Sequence, residues 1–164
     1  MKMKKIFAIG LLSTLFSCTG VAQKKEDIVD KTYPISKTNE EWKEVLTKEQ
    51  YYILRLAGTE RPFSSPLNKI YTRGTFYCAA CDTPLYESKH KFDSGTGWPS
   101  FDRAIDDNVE KDVDYKLGYA RTEALCATCG GHLGHIFNDG PRETTGMRHC
   151  INGDALIFKP EESE

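Results

Sequence analysis

The sequence predicts a mainly β domain of antiparallel sheets, entered through two short helices. Three observations carry that prediction. Beyond Asn68 the chain breaks into short β-like runs at 74–78, 84–87, 113–117, 119–125, 133–137, 147–151 and 155–159. Gly118, Gly130, Gly131, Gly140 and Gly153 punctuate them, a close spacing that favours antiparallel pairing over the long crossovers of βαβ units. Two turns carry C-x-x-C pairs, Cys78-Ala79-Ala80-Cys81 and Cys126-Ala127-Thr128-Cys129. At 164 residues there is chain for one domain with a substantial core.

The first stretch stands apart from that domain. Lys2, Lys4 and Lys5 precede an apolar run from Ile6 to Phe16, and no acidic residue occurs before Glu26. This is the pattern of an export signal, with an apolar run too short to span a bilayer. Leu15-Phe16-Ser17-Cys18 resembles a bacterial lipoprotein lipobox, which makes residues 1–17 the signal and Cys18 the lipidated start of the mature chain. The rival cut follows Gly20-Val21-Ala22 and discards Cys18. The expected location is a bacterial periplasm or cell envelope, with membrane contact only through a lipid on Cys18. Loss of residues 1–17 takes the net charge from −2 to about −5. That balance argues against a nucleic-acid partner, which needs a basic face. Residues 18–37 are polar and read as a flexible tether, the domain as 38–160, and residues 161–164 as an acidic tail.

Thr38 with Glu41, and Thr47 with Gln50, fit the capping box, in which a hydroxyl and a carboxylate or amide satisfy orphan backbone donors. They predict helices over roughly 39–46 and 48–57, with Gly58 as the stop. Trp42, Val45 and Leu46, then Tyr51, Tyr52, Ile53, Leu54 and Leu56, supply apolar side chains, and the aromatics among them are expected in the core. Arg61-Pro62-Phe63-Ser64-Ser65-Pro66 has two prolines and reads as an ordered connector. Val113, Tyr115 and Leu117 alternate with Asp114 and Lys116, as in a half-buried strand.

The paired C-x-x-C turns supply the four soft ligands of a structural zinc, one ion on Cys78, Cys81, Cys126 and Cys129. The 44 residues between Cys81 and Cys126 exceed a compact ribbon spacing, so strands must lie between the turns. The competing reading is a thioredoxin-like redox pair, which should sit in a βαβ setting that this sequence lacks. A closed four-sulfur site leaves no open position for substrate.

Of six cysteines, four are then ligands and Cys18 is lipidated or removed, which leaves Cys150 alone. Alternation in Arg148-His149-Cys150-Ile151-Asn152 puts Arg148, Cys150 and Asn152 on one face, where a cation favours the thiolate, the reactive form. The alternative is a small buried hydrophobe. His132 and His135 in Gly131-His132-Leu133-Gly134-His135 are candidate acid–base or orienting groups, or else a second metal site or surface histidines. In Ser94-Gly95-Thr96-Gly97-Trp98-Pro99-Ser100-Phe101, Trp98 and Phe101 are the candidate substrate contacts. Core packing is the alternative for both, and the preferred one for Phe101. Asn138-Asp139-Gly140-Pro141 is a turn that needs no function.

Taken in order, these segments with Thr145-Gly146 resemble the methionine sulfoxide reductase B family over roughly residues 38–160. The resemblance implies two antiparallel sheets in a tent-like β fold. It implies an oxidoreductase that reduces methionine-R-sulfoxide in proteins, a repair of oxidative damage. Cys150 would attack the sulfoxide sulfur and become a sulfenic acid. Trp98 would receive the substrate methyl, while His132, His135 and Asn152 organise the polar side, His135 being the proton source, and Arg148 holds the thiolate. Many members carry a resolving cysteine at or beside the position of Thr96. This chain then resembles a one-cysteine form, a monomer whose sulfenic acid is resolved by a thioredoxin-like reductant or a small thiol. Outside the resemblance, a non-enzymatic zinc-binding docking module and a C-x-x-C disulfide oxidoreductase are the alternatives.

Overall fold

The computed structural model describes residues 31–162. The expected export signal, Cys18 and the first part of the expected tether lie outside the described residues. Residues 31–37, assigned to the tether by their polarity, lie against the domain instead. The Ile35 N–H donates to Thr128 O at 2.9 Å and its side chain packs on the core. The Tyr33 ring covers Gly130, where a Cβ would collide with it. One apolar and one aromatic side chain, with the Lys31–Glu110 ion pair, dock a segment whose composition is otherwise that of a linker.

Both capping boxes form, on α1 (Asn39–Val45) and α2 (Lys48–Leu56). Thr38 and Thr47 each accept from the backbone N–H three residues on, and Glu41 and Gln50 accept in return from the backbone N–H of the capping residue. Ala57 closes α2 in the left-handed region at φ 47°. The helical period turns Trp42, Leu46, Ile53 and Leu54 inward and leaves Val45, Tyr52 and Leu56 exposed, so Tyr52 is not the core aromatic that was expected.

Nine strands follow among the described residues: β1 (Gly74–Cys78), β2 (Pro84–Glu87), β3 (Lys91–Phe92), β4 (Ser100–Phe101), β5 (Val109–Asp114), β6 (Arg121–Cys126), β7 (His132–Phe137), β8 (Arg148–Ile151) and β9 (Leu156–Pro160). They form a three-stranded sheet, β2-β1-β9, and a six-stranded sheet, β3-β4-β8-β7-β6-β5. Every pairing is antiparallel. The strand expected at 113–117 is displaced. β5 ends at Asp114, and a turn follows in which the Gly118 N–H donates to Tyr115 O at 2.9 Å. Because β5 is an outer strand, Val113 is exposed with Tyr115 and Leu117, and their alternation does not mark a buried face.

The two sheets meet through aromatic rings. Phe101 of β4 stacks on Tyr86 of β2 with centroids 4.3 Å apart, and meets Phe76 of β1 edge-on at 5.0 Å. Leu85, Leu133 and Ile151 are fully buried around them. Phe101 is therefore a core residue out of reach of substrate, which corrects its place among the candidate substrate contacts. Alternation along a two-residue strand beside Ser100 sends its ring inward.

Candidate active site and metal centre

β8 lies inside the six-stranded sheet, between β4 and β7, so both its neighbours impose register on it. Cys150 faces Ser100 of β4 and His135 of β7. His135 faces Glu123 of β6, and Glu123 faces Asp112 of β5. Paired residues share a sheet face, so a continuous polar row runs across the sheet from Ser100 through the half-buried Cys150 to Asp112. His149, on the opposite face, is buried with Nδ1 3.2 Å from the Tyr86 hydroxyl. Burial there pushes its pKa down to about 4.

Arg148 shares the face of Cys150. Its guanidinium donates twice to Asp139, each at 2.9 Å, and lies over the Phe137 ring at 4.5 Å. Asp139, in the turn for which no role was expected, is thus the group that aims Arg148. Sequence offered no signal for that pairing beyond an acid in a tight turn. The Cys150 thiol is pushed up by burial, against the opposing pull of Arg148 and of the Thr96 hydroxyl. A resting thiolate was expected from Arg148 alone; desolvation outweighs a cation whose charge is already shared with Asp139.

His132 and His135, three residues apart, would point to opposite faces of a regular strand. A register shift opposite Ala124 and Leu125 turns His132 back, and the two rings stand 5.4 Å apart. Gly134 between them is required by close approach, since a Cβ there would lie 2.1 Å from Cys150 O. His132 Nδ1 bonds the Glu123 carboxylate, and His135 Nε2 is 2.8 Å from Asp114 Oδ2. The Lys116 N–H, His135 and Arg121 hold Asp114 well below the usual carboxylate range. Burial lowers the His135 pKa despite Asp114. Asp114 and Glu123 were not expected from sequence, because strand pairing alone brings them to the histidines.

Trp98 is half-buried, and its indole N–H donates to Glu60 O at 3.3 Å. Asn152 is brought to the end of β8, but its amide is taken up by backbone. Oδ1 accepts from the Glu60 N–H and Nδ2 donates to Leu133 O, both at 3.0 Å. Its place is to lock the connector and β7 to β8. Thr96 joins a chain of hydroxyls, 2.8 Å from Ser94 Oγ, which is 2.7 Å from Ser100 Oγ.

The two C-x-x-C turns, at the ends of β1 and β6, converge. All four Sγ atoms lie within 4.8 Å of one another, Cys78 to Cys129 at 3.8 Å and Cys81 to Cys126 at 3.5 Å. Metal–sulfur bonds of about 2.3 Å give a tetrahedron with edges of about 3.8 Å, so these separations fit one ion, whereas a disulfide needs about 2.05 Å. Arg55 donates to Cys129 Sγ at 3.3 Å and to Cys129 O at 3.0 Å. The Thr83 hydroxyl lies 3.1 Å from Cys81 Sγ. The four cysteines can hold a metal ion and join the two sheets.

Fold and site together define a mainly β protein with a four-cysteine cluster able to hold a metal ion and a separate cysteine–histidine site. Residues 46–160 match the SelR domain. A peptide methionine sulfoxide reductase MsrB of Leptospira interrogans is 52% identical over 130 residues, covering 79% of this chain and 98% of the relative. The MsrB of Agrobacterium fabrum is 50% identical over 133 residues, 80% of this chain and 98% of that one. The peptide methionine sulfoxide reductase B1, chloroplastic, of Oryza sativa subsp. japonica is 53% identical over 128 residues; these cover 77% of this chain and 59% of the longer rice protein. The chain belongs to the methionine sulfoxide reductase B family.

Proposed function

We propose that this family member reduces methionine-R-sulfoxide in proteins and peptides to methionine, with Cys150 as the nucleophile. The observation that carries this reading is the cross-strand register of Cys150 with His135, whose Nε2 is tied to Asp114. Asp114 stays ionised and accepts from Nε2–H, which fixes the tautomer and leaves the other ring nitrogen free to take and return a proton. The resting pair is neutral, thiol beside imidazole. The reaction needs no more protons than that pair holds. Cys150 sulfur attacks the sulfoxide sulfur, the oxygen passes to the cysteine sulfur as its bond to the methionine sulfur breaks, and the transient bond between the two sulfurs breaks to release methionine. The thiol proton, relayed by His135, ends on that oxygen. Cysteine is oxidised by two electrons to the sulfenic acid, and methionine sulfur is reduced by two. Trp98 borders the substrate methyl group, and Arg148 stabilises the thiolate formed on the way.

With Thr96 where a resolving cysteine often stands, the sulfenic acid is left for an external thiol, a thioredoxin-like protein. One thiol condenses with it to a mixed disulfide and water, and a second releases Cys150. The chain acts as a monomer on oxidised exported proteins. The lysine-led run Ile6–Phe16 and the Leu15–Cys18 lipobox pattern support export to a periplasm or cell envelope, with a lipid anchor on Cys18. The metal is zinc, held by Cys78, Cys81, Cys126 and Cys129, and when bound it supplies folding energy.

The test is to trap the intermediate. Prereduced protein is mixed with one equivalent of a methionine-R-sulfoxide peptide and dimedone, without reductant, and mapped by mass spectrometry. The adduct is expected on Cys150, with one methionine released per chain. Methionine formed with no adduct on Cys150, or with the adduct elsewhere, sinks the assignment.

A further inference from the structure

Phe63 sits in a place the fold reserves for another residue. Arg61-Pro62-Phe63-Ser64 closes as a turn, with the Ser64 N–H donating to Arg61 O at 3.2 Å and Phe63 at φ 64°. Proline second and a positive φ third is the arrangement of a type II turn, whose third position belongs to glycine or asparagine. A bulky L residue there is strained by its own Cβ, and burial does not compensate, because Phe63 is 67% exposed. Folding alone thus favours glycine at this position.

The turn is tied to the substrate loop. The Phe63 N–H donates to Gly97 O at 2.7 Å, and the ring lies against Gly97 so closely that a Cβ there would come within 2.9 Å of it. The next residue, Trp98, donates to Glu60 O from the other end of the same connector. An exposed ring is therefore held in a strained, over-determined position beside the residue that receives the substrate methyl. Strain retained in this way gathers at ligand-contacting positions.

We infer that Phe63 is a specificity-determining contact for the polypeptide flanking the oxidised methionine. A methionine within a chain brings neighbours that must cross the surface next to the Trp98 loop, and free methionine sulfoxide does not. This inference rests on the reductase reading and names the part of the substrate that meets Phe63.

The test compares Phe63→Gly and Phe63→Tyr with wild type on a blocked methionine-R-sulfoxide tripeptide and on free methionine-R-sulfoxide. Phe63→Gly relieves the backbone and should melt no lower than wild type. On the tripeptide its KM should rise about tenfold with kcat unchanged, as expected on losing an aromatic contact. On the free amino acid both constants should hold, and Phe63→Tyr should keep the wild-type KM on both. Equal losses on the two substrates, or none on the tripeptide, overturn the inference while leaving the reductase intact. A wild type inactive on both overturns the reductase and this inference with it.

Discussion

His135 of β7 stands directly across from Cys150 of β8, and its Nε2 lies 2.8 Å from Asp114 Oδ2 on a third strand. The proposed nucleophile, base and orienting carboxylate, Cys150, His135 and Asp114, are thus placed by hydrogen-bonded register within one sheet and not by mobile loops. A sheet tolerates little slippage once one of its faces is buried, so the geometry is as durable as the fold.

Cys150 should be a slow thiol in the free enzyme. Burial raises its pKa, with Arg148 and Thr96 opposing. Alkylation followed against pH should have its midpoint above the ordinary thiol range, and Arg148→Met should move it higher still. A midpoint below the range of a free cysteine would mean that the cation, and not burial, governs the site.

Acid should weaken the fold in a definite window. Neutral His149 is buried against Tyr86 with its pKa pushed down to about 4. Between pH 6.5 and 4 the unfolded chain binds this proton and the folded one does not, so stability is full above the window and falls as pH drops through it. The loss is about 3 kcal/mol if the whole shift is expressed. His135, also lowered, adds in the same direction. Urea titrations at several pH values should show this slope, and His149→Leu should flatten it in part; an unchanged slope would count against His149 as its source.

Metal removal should unfold the domain and not merely slow it. The four sulfurs bridge the ends of β1 and β6, one strand in each sheet. Structural zinc sites are worth about 10–16 kcal/mol, beyond the usual stability of a domain of this size. Elemental analysis should find one zinc per chain. Chelation, or Cys126→Ser, should abolish near-UV ellipticity and the cooperative melt; a chelated sample that keeps both would refute the structural role.

Gly134→Ala should be costly without touching any reacting group. Its Cβ would lie 2.1 Å from Cys150 O, which forces β7 away from β8 at the site itself. Overpacking of this kind costs about 1–3 kcal/mol. Urea denaturation should show that loss, and activity should fall by more than stability explains, since the strands that part carry Cys150 and His135.

The capping boxes, the C-x-x-C turns and most strand positions were legible because each is written in local spacing. What escaped was carried by tertiary partners. β3 and β4 are two residues each, too short to show a period, yet β4 gives Cys150 one of its neighbours. Val113, Tyr115 and Leu117 kept a strand's alternation although an outer strand exposes the first and the turn after it the other two. Cys150, His132, His135, Arg148 and Trp98 could be picked out by residue type and context. Asp114, Glu123 and Asp139, which orient them, could not, because acids in a strand or a turn look alike until the register is known. Phe101 and Asn152 were legible as residues near the site but not in orientation, one facing the core and the other bonded to backbone.

The most direct measurement is single-turnover reduction of one peptide carrying methionine-R-sulfoxide, beside its S epimer, by prereduced wild type and by Cys150→Ser. The expected result is one methionine per chain from the R epimer alone, with none from the variant. Turnover of the S epimer, retention of activity by Cys150→Ser, or an inert wild type with its metal in place would contradict the account.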